Sequence, residues 1–186
     1  MVLLGIIGFL CFALFFGAIE YIKYSVDIGL SLQPQKGNPV MIRVIRNGET
    51  VSEQLVYNNV TKKGFTRMRN GLLGNASDPT NITKYISLSD DADANSFEWT
   101  KLPTEYTAFG LDRHEGTIQN GNETGYEVTY TFTCTADGKA VRMAGLHWMG
   151  DDDSNGNLFA AVAFNQVTLN TNDKLQVTWT INGMNP

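Results

Sequence analysis

Hydrophobic and polar residues change rhythm along this chain, and the first rhythm is unbroken. From Val2 to Ile19, VLLGIIGFLCFALFFGAI, eighteen consecutive positions carry no charge, amide or hydroxyl, and Glu20 ends the run. Such a run is long enough to cross a bilayer as a helix, because a helix satisfies its own backbone where lipid offers no partner. The first proline is Pro34. The pattern therefore predicts one rod from about residue 2 to about residue 32, roughly 45 Å long at 1.5 Å per residue. Its first half is apolar on every side, which suits lipid or other protein. Its second half mixes Ile22, Val26, Ile28, Leu30 and Leu32 with charge and suits a protein face.

The rod gives way to a linker, Gln33 to Pro39 (QPQKGNP), rich in proline and glycine. Beyond it the period shortens to two. Val40–Arg46 and Thr50–Tyr57 flank Asn47-Gly48, the turn dipeptide of a type I′ hairpin. Lys62–Leu73 places Phe65, Met68 and Leu72 on one helical face, with Thr61 as a candidate cap and Gly74 just beyond. Further strands are predicted at Lys84–Ser89, Leu111–Gln119, Tyr126–Thr135, Ala140–Met149, Leu158–Val167 and Lys174–Ile181. Leu111–Gln119 is expected to pair with Tyr126–Thr135, and Asp90–Pro103 to form an irregular loop. In Tyr126–Thr135 the alternation is cleanest: Tyr126, Val128, Tyr130, Phe132 and Cys134 share one face, and Glu127, Thr129, Thr131, Thr133 and Thr135 share the other. Leu175, Val177, Trp179 and Ile181 align in the same way.

These elements predict an α+β chain, with a long N-terminal apolar helix (1–32), a linker (33–39) and an antiparallel β-sandwich (40–186). Eight strands at this spacing suit an immunoglobulin-like or jelly-roll closure.

The apolar run has three readings. A cleaved secretory signal needs a basic leader and a small-residue cleavage site, and neither precedes or ends this run. A membrane anchor is the second reading. The third is a mature chain whose basic leader has been removed, with a helix that sits in the membrane and then packs against copies of itself. On that plan the chain resembles type IV pilins: an N-terminal apolar helix, an amphipathic continuation and one C-terminal β-rich domain. Gly5 among Leu3, Leu4, Ile6 and Ile7, with no glutamate near the start, looks more archaeal than bacterial. The resemblance implies a filament core built from the helices. Gly5, Gly8, Ala13 and Gly17 would allow close approach, with Phe9, Phe12 and Phe16 as knobs beside the gaps. A second resemblance, carried by Asp173 to Ile181 (DKLQVTWTI) and the strands before it, is to β-rich structural proteins of phages and archaeal viruses. It too implies a building block.

Composition narrows the field further. The formal charge is −5, from 14 basic and 19 acidic residues. With no basic cluster in view, nucleic-acid binding has no electrostatic footprint. Cys11 lies in the apolar run and Cys134 in a distant strand, so both read as small buried hydrophobes and not as a disulfide.

Candidate chemistry is sparse. Asp151, Asp153 and Asn155, followed by Gly156, have the D-x-D-x-N-G spacing of a calcium loop. Position twelve is Val162 where such loops carry glutamate, and an acidic hairpin tip explains the same residues. Asp91, Asp93 and Asn95 repeat the spacing without the glycine. His114 and His147 have no ligand partner at metal spacing, and His147 within AGLHWM reads as a buried strand residue. No catalytic motif appears, so no enzyme activity and no cofactor other than calcium is expected. Sequons at Asn59, Asn75, Asn81 and Asn122 fall in or beside turns, and become glycan sites if the domain is exported.

The expectation is therefore a structural subunit of an extracellular filament, partnered with copies of itself and with the membrane before assembly. A membrane-anchored surface-binding domain and a viral coat or tail component are the alternatives.

Overall fold

A computed structural model describes residues 37–72, 83–92, 96–120, 125–151 and 156–182. These described residues make one compact unit. Strand β1 (Pro39–Arg46) turns at Asn47 and Gly48, both at positive φ (52° and 85°), into β2 (Glu49–Tyr57). This is the hairpin that Asn-Gly specifies. A two-residue strand β3 (Asn59–Val60) leads to helix α1 (Lys62–Leu72). Thr61 caps α1 as expected, its hydroxyl accepting the Gly64 N–H at 3.0 Å.

The remaining strands are β4 (Tyr85–Ser89), β5 (His114–Glu115), β6 (Thr117–Asn120), β7 (Gly125–Thr133), β8 (Lys139–His147), β9 (Leu158–Leu169) and β10 (Lys174–Asn182). They form two antiparallel five-stranded sheets, ordered β2-β1-β10-β7-β6 and β3-β9-β8-β4-β5. The first and last long strands pair, Val40 opposite Trp179 and Val44 opposite Leu175.

Inward residues of both sheets meet in one core. Val40, Ile42, Val128, Phe132, Leu175, Val177 and Trp179 come from the first sheet, and Ile86, Leu88, Val141, Leu146, Ala160 and Val162 from the second. Burial of each such side chain stabilises by about 1.5–3 kcal/mol relative to exposure. In β10 the period-two pattern read from the sequence is the pattern of burial at Leu175, Val177 and Trp179, while in β7 Val128 and Phe132 are buried and Tyr126 and Tyr130 of the same face are only half-buried.

Two expectations need correction. The chain is mostly β, with one short helix and no long apolar helix among the described residues, so the α+β class is overturned. That class rested on the predicted rod at 1–32, which lies outside the described residues. Likewise, no helix among the described residues is long and apolar enough to cross a membrane.

Secondly, Leu111–Gln119 is not one strand. It breaks at Gly116, so that β5 pairs with β4 in the second sheet and β6 with β7 in the first. Gly116 allows the switch because a Cβ there would lie 2.5 Å from Val128 Cγ1.

The second sheet is covered on its outer side as well. From Leu158 to Val162 the buried residues run without alternation, the mark of a strand covered on both faces. Residues 96–113 supply the cover. Trp99 and Leu102 pack on Met143, Leu158 and Ala161. The Ser89 hydroxyl donates to Pro103 O at 2.6 Å, and the Tyr106 and Leu158 N–H groups donate to Leu88 O and Thr100 O at 2.9 and 3.0 Å.

Candidate functional site

Polar side chains collect in one place under this cover. Ser87 on β4 stands opposite Gly145 on β8, and His147 lies diagonally across from it, two residues further on. Because Gly145 has no side chain, the two can meet: a Cβ there would lie 2.8 Å from both His147 Nε2 and Ser87 Oγ. Asn157 arrives just before β9, behind Gly156, whose φ of 74° and close approach to Thr100 O admit only glycine without strain.

The hydrogen bonds fix who donates. Arg113 Nη1 donates to Asn157 Oδ1 at 3.0 Å, and Asn157 Nδ2 donates to Asp151 O at 2.7 Å. The amide oxygen therefore faces His147, whose Nδ1–H donates to it at 2.8 Å. Nε2, on the other side of the ring, shares a hydrogen bond with the Ser87 hydroxyl at 2.7 Å. Arg113 continues the chain: Nε and Nη2 grip Glu105 at 2.8 and 2.6 Å, and Nη1 also reaches Met149 O and Asp151 O. Beside this ion pair lies a cavity of about 490 Å³, lined by Lys101, Leu102, Tyr106, Thr107, Asp112 and Gly150 as well as by the pair itself. Burial pushes the Tyr106 phenol up, and its hydroxyl donates to Ala140 O at 2.8 Å.

Serine, imidazole and amide thus have the connectivity of a nucleophile, its base and an orienting group. Access decides what they can do. Ser87 and His147 are 0% exposed and Asn157 is 2% exposed, so the hydroxyl has no room beside it for a reacting carbonyl. What the relay does here is mechanical: it ties β4, β8 and the start of β9 to the covering segment through Arg113.

The predicted site residues fare differently. Asp151 is exposed and its carbonyl oxygen serves Arg113 and Asn157, while Asp153 and Asn155 lie outside the described residues. Among the described residues no cluster of histidine, cysteine, aspartate or glutamate could hold a metal ion. Asp91 accepts the Thr104 hydroxyl at 3.2 Å, and Asp93 and Asn95 are outside.

Asn59 is exposed on β3, but its sequon partner Thr61 is 1% exposed and donates to Leu158 O at 2.6 Å. Asn75, Asn81 and Asn122 are outside the described residues, as are Cys11 and the assembly set Gly5, Gly8, Phe9, Phe12, Ala13, Phe16 and Gly17. Cys134 is buried, as the pattern predicts. His114 stacks on Tyr130 with ring centroids 4.7 Å apart.

A second feature lies on the outer face of the first sheet. Val51, Leu55 and Tyr57 on edge strand β2 are 52%, 53% and 41% exposed. Pro39 and Met41 stand opposite Tyr57 and Leu55 and lengthen the apolar strip. The Arg43–Glu53 pair, 2.6 Å apart, interrupts it. The inward-pointing Gln54 closes the neighbouring gap between sheets: its amide donates to Asn165 O at 3.0 Å and accepts Asn165 N–H at 2.9 Å, as a strand's own peptide would.

Fold and site together define a two-sheet antiparallel β-sandwich whose polar relay is closed and whose exposed features are surfaces. No protein family, curated protein or solved structure matches the chain.

Proposed function

We propose that this chain is a non-catalytic structural subunit of an extracellular filament, displayed at the cell surface after a membrane-held stage. The apolar run from Val2 to Ile19 holds the subunit before assembly and is buried among copies of itself afterwards. The sandwich forms the outer surface. The observation that carries this reading is the pairing of an eighteen-residue charge-free run with one sandwich that leaves an apolar strip on an edge strand.

Val51, Leu55 and Tyr57 support lateral contact between subunits, because edge strands left apolar invite pairing and natural monomers blunt them. A contact repeated head to tail without closing gives a helical polymer. The reading calls for no nucleic acid and no cofactor.

The test is negative-stain imaging of sheared cell-surface material, with N-terminal sequencing of its main band. Filaments built of this chain, lost in Leu55→Lys/Tyr57→Lys, support the proposal. A chain found only in detergent-solubilised membranes and never in sheared filaments overturns it.

A further inference from the structure

Helix α1, KKGFTRMRNGL, carries Lys62, Lys63, Arg67 and Arg69 and no carboxylate. It thus concentrates four of the 14 cations of a chain that is acidic overall, a cluster the chain-wide balance conceals. One face of the helix is committed to the sandwich: Met68 packs on the core, and Gly64 lies so close to β9 that a Cβ would be 2.2 Å from Phe159 O. The outward side presents Phe65, 52% exposed, against Phe97, 49% exposed, with ring centroids 5.9 Å apart.

Phe97 is held there by the helix itself. The Lys62 N–H donates to Phe97 O at 2.8 Å, and Lys62 Nζ meets the neighbouring Glu98 at 3.0 Å. The Arg67 guanidinium lies 4.9 Å from the Trp148 ring centroid. The place matters too. The Asn58 N–H donates to Asn38 O at 3.1 Å, so α1 starts four residues from the point where the chain enters the sandwich.

We infer that α1 with Phe65 and Phe97 is a docking surface for an anionic lipid headgroup layer. Cations on a helix beside exposed aromatic rings are the two components of interfacial binding: attraction to anionic headgroups and insertion of an apolar wedge. The inference rests on the membrane-held stage of the proposed function and adds what the sandwich does during it. A single-stranded nucleic acid fits less well. Its bases need open ring faces in succession, whereas Phe65 and Phe97 lean on each other at 51°.

The test mixes the full chain with phosphatidylcholine vesicles, with or without phosphatidylserine, made with brominated acyl chains that quench tryptophan. Trp179 is buried, so quenching reports on the half-buried Trp148 beside α1 and on the half-buried Trp99, two residues after Phe97. Quenching is expected with phosphatidylserine and absent without it. The docked-to-undocked ratio is expected to fall about five-fold for each cation removed, in Lys62→Gln and in Lys63→Gln. It falls also in Phe65→Ser/Phe97→Ser, with the melting temperature of each variant unchanged.

Equal quenching by both vesicle types, or quenching indifferent to these substitutions, overturns the docking surface and leaves the filament proposal standing. Displacement by a single-stranded oligonucleotide that holds the chain more tightly than the anionic vesicle also overturns it. When the same mixtures are floated on a density gradient, a chain that floats with neither vesicle type overturns both this inference and the membrane-held stage beneath it.

Discussion

Replacing Glu105 by glutamine tests whether the Arg113 clamp secures the cover of the second sheet. The two side chains are 18% and 7% exposed, and the guanidinium meets both carboxylate oxygens at 2.8 and 2.6 Å. Removing one partner of a fully buried pair costs about 3–5 kcal/mol. That is an upper range for this part-buried pair, whose Arg113 keeps Met149 O, Asp151 O and Asn157 Oδ1 as acceptors. Glutamine keeps one acceptor, which places the cost near the lower figure. At about 2–4 °C per kcal/mol for a domain of this size, a loss of about 3 kcal/mol lowers the melting temperature by about 6–12 °C.

Arg113→Met is expected to be worse, since Arg113 also serves Met149 O, Asp151 O and Asn157 Oδ1. Glu105→Leu/Arg113→Met should fall short of the sum of the two single effects, because each single variant is charged for a buried lone ion that the double lacks. Circular dichroism melts give the global figure, and hydrogen exchange over residues 96–113 shows whether the cover loosens first. A Glu105→Gln melt within about 2 °C of the parent, or strictly additive single effects, would refute the clamp.

Acid should loosen the opposite end of the sandwich. The Arg46 guanidinium, with the Asn170 N–H, holds the Asp173 carboxyl below its ordinary 3.8, and hydrogen bonds from the Thr171 N–H and hydroxyl hold Asp137 below it too. Both folded values lie under the unfolded one, so their contribution is complete above the ordinary value and is lost as pH falls through the folded values. Asp173→Asn should flatten that part of the stability–pH curve measured by urea titration. Gly145→Ala drives a methyl to within 2.8 Å of His147 Nε2 and Ser87 Oγ, and is expected to cost about 1–3 kcal/mol in chemical denaturation. Gly48→Ala meets nothing within 4 Å and should cost only its positive φ, about 1 kcal/mol. Gly64→Ala overlaps Phe159 O, and should lower protection of α1 amides in hydrogen exchange while the β7 and β10 amides keep theirs.

Local chemistry made much of the fold legible. Asn47-Gly48 needs no tertiary contact to specify its turn, Thr61 caps the helix it precedes, and the alternation of β7 and β10 names the core face directly. What the pattern could not show was which sheet a strand joins. Gly116 inside a strand-like run was the available sign of a break, since an isolated strand glycine marks a bend or a close backbone approach. The α+β class failed because it weighed a run outside the described residues as heavily as the strands that build the sheets. The relay was illegible for a different reason. Ser87, His147 and Asn157 sit at no motif spacing, and only the β4–β8 register brings the first two together.

The relay and α1 show how burial sorts polar residues on this sandwich. A serine, histidine and asparagine at full burial must satisfy one another, since each unmet polar group costs about 1–3 kcal/mol, and here the bonds close through Arg113 onto Glu105. Once closed, such a network holds structure and offers nothing to a ligand. The cations of α1 stand in a helix with no carboxylate of its own, Lys62 meeting Glu98 outside it, beside two phenylalanines the core does not cover. By that contrast the Ser87–His147–Asn157 relay belongs to the architecture of the sandwich, and the two proposed contact surfaces rest on exposed residues of α1 and β2.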